Sequence, residues 1–316
     1  MTGTYILRKG VSTLNDLVGG RAGIGLGIGN IYYVVKSTEA FYGDLSATYD
    51  QVYNDGSVAM HTSIESALAA TVECRNDYVV VWPSNSDYDI DTAALVMNKK
   101  SVHLIAPSGM GYDRGASNAV RVEQTTDSIP LIAVSDAAIE IAGFYFKPYI
   151  GQSHITLSAA AYAPNIHHNT FVLQWETTNK ASIMGTGSGG GWGSIERNWF
   201  ISQGGDSQSA DYIVYIASSA TGARVCYNDF MIGDGNTAVL GIRLDAYKGS
   251  ANYNTFAKSG SYGTYTHCIQ IGTKGSAIGN RGTVATSIML TGGAQHNSAS
   301  DNMDGTSGGV IDDGEA

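Results

Sequence analysis

The length, composition and charge of the chain restrict the classes of protein to which it can belong. It has 316 residues, of which 40 are Gly and only 5 are Pro, and 15% of its residues are charged. This composition is typical of an all-β chain with many turns. The formal net charge of −10 argues against a nucleic-acid partner, because binding to phosphates needs a positive surface.

The N-terminal sequence and the hydropathy argue against a membrane partner. A secretory signal begins with a charged leader followed by an apolar segment. Residues 1–10 do not contain this pattern. The longest apolar stretch, residues 24–35, is interrupted by Gly and by Asn30 and is too short to cross a bilayer. We therefore expect a soluble protein that is assembled in a cytoplasm.

Residues 1–50 predict an extended N-terminal arm. Residues 18–30 alternate Gly with apolar residues, and the strand-like residues 31–35 follow. A dinucleotide-binding Gly-x-Gly pattern needs a strand before it and a helix after it, so this order predicts no cofactor. An arm of this composition buries little surface alone and is expected to be ordered by a neighbouring subunit. Its anchoring residues are predicted to be Gly23, Gly25, Gly27, Gly29, Tyr32 and Tyr33.

Residues 51–77 predict a capping turn and helix. Asp55-Gly56-Ser57 has the composition of a turn. Thr62 and Glu65 stand in the spacing of a capping box that opens a helix, and Asn76-Asp77 is expected to end that helix. The apolar residues on one face of the predicted helix are Ile64, Ala67, Leu68 and Val72. A helix with a polar outer face is suited to closing the open end of a repetitive β-structure.

A loose repeat organises residues 78–305. An Asn is followed two residues later by a large apolar residue at Asn169/Phe171, Asn198/Phe200, Asn228/Phe230 and Asn254/Phe256, and more weakly around Asn280 and Asn302. The Asn residues recur at intervals of 29, 30, 26, 26 and 22 residues. A period of this length indicates a stacked architecture.

Each period contains short apolar alternations separated by Gly, Ser, Asn and Asp, which predict strands joined by turns. No repeated helical spacing is present, so the pattern predicts an all-β, single-stranded parallel β-helix over residues 78–305 and an acidic tail over residues 306–316. The Phe residues are expected to stack inside the coil. The Asn residues are expected to occupy turns, where Asn tolerates left-handed backbone and bonds neighbouring peptide groups.

The cysteines and adjacent histidines predict no metal or redox site. Cys74, Cys226 and Cys268 are odd in number and lack metal-binding or redox spacing, so they are expected to be buried apolar side chains. His167 and His168 are neighbours in a predicted strand, where adjacent side chains point to opposite faces and rarely ligate one ion.

Three segments and the recurring Asn-x-Phe carry a resemblance to a known family. The segments are Tyr78-Val79-Val80-Val81-Trp82-Pro83, Ser101-Val102-His103-Leu104-Ile105-Ala106-Pro107 and Ile139-Glu140-Ile141-Ala142-Gly143-Phe144-Tyr145-Phe146. Together these features resemble the pectin-lyase-like right-handed parallel β-helix. Residues 55–109 are also similar to β-helix proteins of tailed bacteriophages. The resemblance covers roughly residues 50–305. It implies a virion protein, either a capsid decoration or a tailspike.

In the superfamily that the chain resembles, the enzymes that cleave polysaccharide use either paired carboxylates or a calcium site with a basic residue. Their hydrolase motifs are not intact in this sequence, and Asp312-Asp313 lies in the terminal tail. The weak catalytic candidates are Asp229, Asp234 and Asp245, with Arg243 and Lys248 nearby. Paired acids can hydrolyse a glycosidic bond, but Asp is also a common residue of turns.

Trp192 is a candidate sugar contact. It lies in the Gly-rich segment Gly187-Ser188-Gly189-Gly190-Gly191-Trp192-Gly193, which we interpret as a mobile loop. The alternative is that Trp192 packs in the core or against a subunit.

We expect a non-enzymatic capsid decoration that forms a homotrimer and binds the phage major capsid protein. The alternatives are a tailspike that binds or cleaves cell-surface polysaccharide and a bacterial carbohydrate-active enzyme outside any phage.

Overall fold

A computed structural model shows a parallel β-solenoid built from three sheets. It describes residues 29–107, 119–126, 129–147, 152–173, 181–202, 209–233, 237–258, 264–282, 287–291, 298–300, 302–304 and 310–311. From β3 to β28, successive strands join the first, second and third sheets in turn. Each turn of the chain, or rung, therefore adds one strand to every sheet, as the repeat predicts.

The first sheet has eleven strands. They are β1 (Ile31–Val34), β2 (Met60–His61), β3 (Asp77–Val81), β6 (Val102–Ile105), β9 (Glu140–Ala142), β12 (Asn165–His167), β15 (Ser194–Glu196), β18 (Arg224–Cys226), β21 (Ser250–Asn252), β24 (Ser276–Ile278) and β27 (Ser298–Ser300).

The second sheet has ten strands and the third has eight. The second contains β4 (Tyr88–Ile90), β7 (Val120–Gln124), β10 (Phe144–Lys147), β13 (Thr170–Leu173), β16 (Trp199–Ser202), β19 (Asp229–Ile232), β22 (Thr255–Lys258), β25 (Arg281–Gly282), β28 (Asn302–Asp304) and β29 (Val310–Ile311). The third contains β5 (Leu95–Met97), β8 (Ile132–Val134), β11 (Ile155–Leu157), β14 (Ile183–Gly185), β17 (Ser209–Ile216), β20 (Thr237–Leu244), β23 (Thr264–Ile271) and β26 (Ser287–Thr291).

The core is the interior of the coil, and like side chains stack there from rung to rung. The first sheet places Leu104, Ile141, Ile166 and Ile195 opposite one another in register, and all four are buried. Complete burial of each such side chain stabilises the fold by roughly 1.5–3 kcal/mol. The period-2 alternation of the sequence thus becomes one continuous apolar column.

The Phe residues form the predicted interior stack. The ring centroids of Phe171 and Phe200 are 4.8 Å apart, those of Phe200 and Phe230 4.7 Å, and those of Phe230 and Phe256 4.8 Å. Their ring planes are within 10° of parallel. Phe146 extends the stack by one rung, 5.2 Å from Phe171. One aromatic ring per rung therefore fills the same part of the interior.

The repeated Asn residues form a buried hydrogen-bonded ladder. The amide of Asn198 donates to Asn228 Oδ1 at 3.1 Å and to the Ile166 carbonyl at 2.9 Å. Asn198 Oδ1 accepts from both the backbone N–H and the side chain of Asn169, each at 3.1 Å. The same pattern continues through Asn254 and Asn280. These side chains satisfy peptide groups that the corner would otherwise leave unpaired.

The left-handed backbone is found one residue before each Asn, which corrects the sequence expectation. We call this turn, between the first and second sheets, the Asn corner. Its positive-φ residues before an Asn are His168, Arg197, Tyr227, Tyr253 and Gly279, and on an earlier rung Gly143 precedes Phe144. The Asn follows with its side chain pointing inward and buried, so it stabilises the corner by hydrogen bonding and not by its own dihedral angle.

The boundary predicted at residue 50 does not separate an arm from the solenoid. Strand β1 pairs in parallel with β3, and Tyr32 is fully buried, with its hydroxyl donating to the Ala70 carbonyl at 2.8 Å. Tyr33 packs against Tyr49 with ring centroids 4.5 Å apart, and burial raises the pKa of Tyr33 to about 12. The anchoring role predicted for Tyr32 is therefore wrong, because its side chain is enclosed by its own chain.

The glycines of the predicted anchor divide into described and undescribed residues. The N–H of Gly29 donates to the Asn76 carbonyl at 2.9 Å, and a Cβ at Gly29 would overlap the Asp77 side chain and the Arg75 carbonyl. This glycine packs within its own chain. Gly23, Gly25 and Gly27 lie outside the described residues.

Two helices precede β3, namely α1 (Tyr42–Tyr49) and α2 (Ile64–Ala70). Ser63 is the N-cap of α2, because its side chain accepts from the Ser66 N–H; the Thr62–Glu65 capping box is therefore wrong. The helix ends at Ala70, so Val72 lies beyond it and is exposed. Ile64, Ala67 and Leu68 face the core as predicted.

Two further expectations are corrected. In the predicted tail, β29 pairs antiparallel with β28, so residues 310–311 belong to the second sheet. Among the cysteines, Cys226 and Cys268 are buried as predicted but Cys74 is exposed, because it lies in the loop after α2 with a positive φ of 60°.

A buried histidine lies beside the Phe stack. His154 is 1% exposed, and its Nε2 lies 3.0 Å from the Val172 carbonyl, to which it donates. The ring packs edge-on against Phe171 at 5.2 Å. Burial lowers the pKa of His154 to about 3. The folded state therefore holds this side chain neutral well below the pH at which an exposed histidine ionises.

Replacing Asn198 with Ala should strongly destabilise the solenoid. The change removes the acceptor of the buried Asn169 N–H and the side-chain donor to the Ile166 carbonyl, and we expect the free energy of unfolding to fall by about 2–4 kcal/mol. Urea unfolding at pH 7 measures this. Asn165→Ala is the matched control, since Asn165 lies on the exposed side of β12, and should cost no more than about 0.5 kcal/mol. Equal losses in the two variants would contradict the ladder.

His154 should make the protein less stable in mild acid. Its folded-state pKa is below the unfolded value near 6.5, so the unfolded chain binds the extra proton between about pH 6.5 and pH 3. Stability is therefore lost as the pH falls through that window, by about 2 kcal/mol at pH 5 from this residue. Urea unfolding of His154→Gln at pH 7 and pH 5 should show a smaller difference than wild type. The same difference in both proteins would disprove the assignment.

Candidate functional site

The acidic residues proposed as a catalytic pair are not brought together. Asp229 begins β19 in the second sheet, whereas Asp245 follows the end of β20 in the third. The Nε of Arg243 donates to Asp245 Oδ2 at 2.9 Å, so that carboxylate is already paired. Asp229 and Asp245 therefore lie at different corners of the rung and are not placed as a pair. Asp234 and Asp312-Asp313 lie outside the described residues.

Arg243 belongs to an aromatic patch on the outer face of the third sheet. Its guanidinium carbon lies 5.3 Å from the ring centroid of Tyr215 and 5.7 Å from that of Tyr212. The two tyrosine rings stack with their centroids 4.8 Å apart. These contacts stabilise the face through cation–π interactions and engage Arg243, which the sequence interpretation had placed beside the acids.

A chain of polar side chains crosses three rungs on the outer face of the first sheet. His103 Nδ1 and His167 Nε2 lie 2.6 and 2.7 Å from the two oxygens of Glu140. His167 Nδ1 contacts His168 Nδ1 at 2.8 Å. The hydrogen bonds from His103 and His167 lower the pKa of Glu140 to about 2, and burial lowers the pKa of His168.

These histidines bond to Glu140 and to each other instead of converging on one point. Across the described part of the chain, no three His, Cys, Asp or Glu side chains are arranged to hold a metal ion. Both described helices are also too short to cross a membrane. The chain of hydrogen bonds acts as a clamp across three rungs.

A second left-handed column lies between the third and first sheets. We call it the Trp corner, and its positive-φ residues are Ser101, Ala138, Ala163, Trp192, Gly222, Lys248 and Lys274. The N–H of Trp192 donates to the Thr221 carbonyl at 2.7 Å, and that of Gly222 donates to the Tyr247 carbonyl at 2.8 Å. Because each corner residue bonds the next rung, this surface is a regular column.

Trp192 is the most exposed aromatic side chain of the described residues, at 64%. Its ring lies against Gly222, where an added Cβ would come 2.7 Å from Cε3. The Gly-rich segment that carries it is hydrogen-bonded. Gly190 donates to the Ala161 carbonyl at 3.0 Å and Gly193 to Gly190 at 3.0 Å, so the segment is bonded both to a neighbouring rung and within itself.

Lys248, which the sequence placed only beside the candidate acids, lies at the Trp corner with Lys274 and Tyr247, which the sequence pattern did not single out. The ammonium groups of Lys248 and Lys274 lie 5.5 and 5.6 Å from the ring centroid of Tyr247. Tyr247 pairs with Thr221 in an isolated parallel bridge, which places it one rung beyond Thr221 and two rungs from Trp192. Counting back two residues from each first-sheet strand would have aligned Trp192, Lys248 and Lys274 from sequence alone.

The Asn corner also carries exposed aromatic rings, which the sequence interpretation missed. Tyr227 and Tyr253 are each 51% exposed and stack with ring centroids 5.1 Å apart. Tyr253 also lies against Gly279, where a Cβ would come 2.6 Å from the ring. Tyr253 is therefore covered on both faces, by Tyr227 and by Gly279, and Tyr227 is covered on one face.

Comparison of the chain with protein-family models, with curated proteins and with solved structures found no match. Function must therefore be argued from the surface geometry and from the sequence resemblance.

Glu140→Gln should destabilise the solenoid at neutral pH. The folded pKa of Glu140 is about 2, below the unfolded value near 4.5, so its contribution is present above pH 4.5 and is lost as the pH falls towards 2. We expect a loss of about 2 kcal/mol at pH 7 and a smaller difference from wild type at pH 3. Urea unfolding at both pH values measures this, with the exposed Glu73→Gln as control. A difference that does not depend on pH would refute the clamp.

Proposed function

We propose that this chain is a non-enzymatic structural protein of a tailed-bacteriophage virion. In this proposal it is a capsid decoration, a cement or head-surface protein that trimerises through its solenoid and docks on the phage major capsid protein. The solenoid is assigned to the pectin-lyase-like right-handed class, in keeping with the right-handed preference of parallel crossovers. The phage assignment rests on the resemblance of residues 50–305 to such proteins.

One observation supports the structural role: several ionisable side chains of the described surface form ion pairs and hydrogen bonds with one another. Glu140 is held by two histidines, Asp245 by Arg243, and Asp87 by Arg121 and Lys147. A catalytic centre needs groups free to reach substrate, with the acid and base within hydrogen-bond reach of the reacting atoms. Paired groups instead stiffen the stack, which suits a scaffold.

The N-terminal end supports the role of a closed scaffold. Helix α2 contributes Ile64, Ala67 and Leu68 to the core and contacts β1, β3 and β5. We propose that it caps the first rungs, because an open solenoid end exposes apolar surface and unpaired strand edges to aggregation.

Particles assembled with and without the gene should differ at the head surface. Electron microscopy is expected to show knobs on wild-type heads that are missing from the deletion particles and return when the purified protein is added. Unchanged heads in the deletion particles would contradict the decoration role. Density lost from the tail instead would favour the tailspike alternative.

Trimerisation has its own test. Multi-angle light scattering at micromolar concentration should give three chain masses in neutral buffer. A single chain mass under those conditions would contradict a trimer formed through the solenoid.

A second candidate is a tailspike or receptor-binding protein that binds or depolymerises host surface polysaccharide. It is favoured by one observation, the 64% exposure of Trp192 on a rigid corner. Release of reducing ends or of unsaturated sugar from capsule or lipopolysaccharide by the purified protein would support cleavage. Absence of both products would leave binding alone as the activity to test.

A further inference from the structure

We propose that the Trp corner is a binding site for an acidic polysaccharide that runs along the solenoid axis. The inference rests on the second proposed function, polysaccharide contact, and specifies both the surface and the ligand chemistry. Within the Trp corner, the residues of the proposed site are Trp192, Lys248 and Lys274, together with the adjacent Tyr247.

Trp192 supplies a surface on which a sugar ring can stack. Its indole lies over Gly222, and 64% of the residue remains open to solvent. The equivalent corner residue on the preceding rung is Ala163, whose N–H donates to the Gly191 carbonyl at 2.8 Å. Small residues thus stand on both sides of Trp192. Stacking of sugar C–H groups on an exposed indole is a common mode of carbohydrate recognition, and the aromatic N–H can also bond a hydroxyl.

The two lysines specify the charge of the ligand. Both ammonium groups lie within 5.6 Å of the Tyr247 ring centroid, and neither occurs in an ion pair among the described residues. The nearest acid along the chain, Asp245, is paired with Arg243. The protein as a whole carries a net charge of −10, so this corner is a local positive site on an acidic molecule, suited to carboxylates.

The spacing of the column suits a repeating polymer. Trp192, Lys248 and Lys274 occupy equivalent corner positions because the first-sheet strands that follow them are in register. Strands in a sheet are about 4.8 Å apart, so Lys248 lies about 10 Å and Lys274 about 14 Å along the axis from Trp192. A pyranose unit advances by a similar length to a rung. A chain stacked on Trp192 would therefore bring successive acidic units to the two lysines.

Two other readings of the exposed aromatics are less favourable. Single-stranded nucleic acid needs a continuous basic groove along its backbone, and two lysines on a chain of net charge −10 do not provide one. The exposed Tyr227 and Tyr253 stack on each other, so their inner faces are not available to a sugar. That second column supplies the matched control.

Affinity electrophoresis and tryptophan fluorescence with the full chain test the site. The probes are alginate, hyaluronate, polygalacturonate and polysialate, with dextran as the neutral polymer and poly(dT) as the nucleic acid. We expect at least one acidic polysaccharide to retard the protein and change its fluorescence, with an affinity that falls as salt rises. Failure of all four acidic polymers, equal binding of dextran, or tighter binding of poly(dT) would overturn the proposal.

Variants locate the site. Trp192→Ala and the double variant Lys248→Gln/Lys274→Gln should each weaken binding by at least about tenfold, and the double variant should also lose most of the salt dependence. Tyr227→Ser and Arg281→Gln, exposed residues at the Asn corner and in the second sheet, should stay within about twofold. Full affinity in Trp192→Ala would disprove the site.

A folding control keeps the result interpretable. Trp192→Phe retains an aromatic ring over Gly222 and should bind more tightly than Trp192→Ala while lacking the fluorescence change; thermal unfolding verifies that both variants fold. A ligand-induced fluorescence change that persists in both Trp192→Phe and Trp192→Ala would also overturn the proposal, because another tryptophan would then be reporting the binding. Because these measurements use purified protein, they are independent of whether heads or tails carry it, and either proposal can fail without the other.

Discussion

The constraint on which the structure depends is the satisfaction of buried peptide groups where the chain turns. Strand ladders pair the straight segments, but a corner interrupts them and leaves donors and acceptors inside the coil. At the Asn corner, each Asn amide bonds a carbonyl of the preceding rung and the Asn of the next one. Because one side chain serves two rungs, the ladder also holds the rungs in register. The Phe stack and the aliphatic columns can form only in that register.

The two corners solve the same problem in different ways. The Asn corner uses an inward side chain, which makes its interior invariant from rung to rung. At the Trp corner, the positive-φ residues are held by backbone bonds to the next rung, as in Trp192 to Thr221 and Gly222 to Tyr247. Its side chains are therefore free to vary, and they change from Ala to Trp, Gly and Lys along the column. Chemical diversity accumulates where side chains are not needed to hold the stack, which is why this corner is the candidate binding surface.

Electrostatic pairing on the outer faces has a similar logic. His103, Glu140 and His167 come from three different rungs, and Asp87 is bridged to Arg121 and Lys147 on two others. Such contacts link residues that lie on different rungs and far apart in the sequence. In a solenoid each rung contacts mainly the adjacent ones, so stability is approximately a sum of these nearest-neighbour terms. The surface ion pairs thus stabilise the stacking of the rungs in the same direction as the interior ladders.

The repeat, the all-β class, the inward Phe stack and the identity of the ladder Asn residues follow from the amino-acid sequence alone, because these features recur at a regular period and depend on local pattern. The sequence pattern misplaced the left-handed residue and the helix cap, it did not separate Asp229 from Asp245, and it did not align Lys248 and Lys274 with Trp192. Those features depend on register, which sets residues far apart in sequence side by side and residues near in sequence at separate corners. Only the tertiary structure decided that register, since loops of unequal length between strands hide it from a count along the chain.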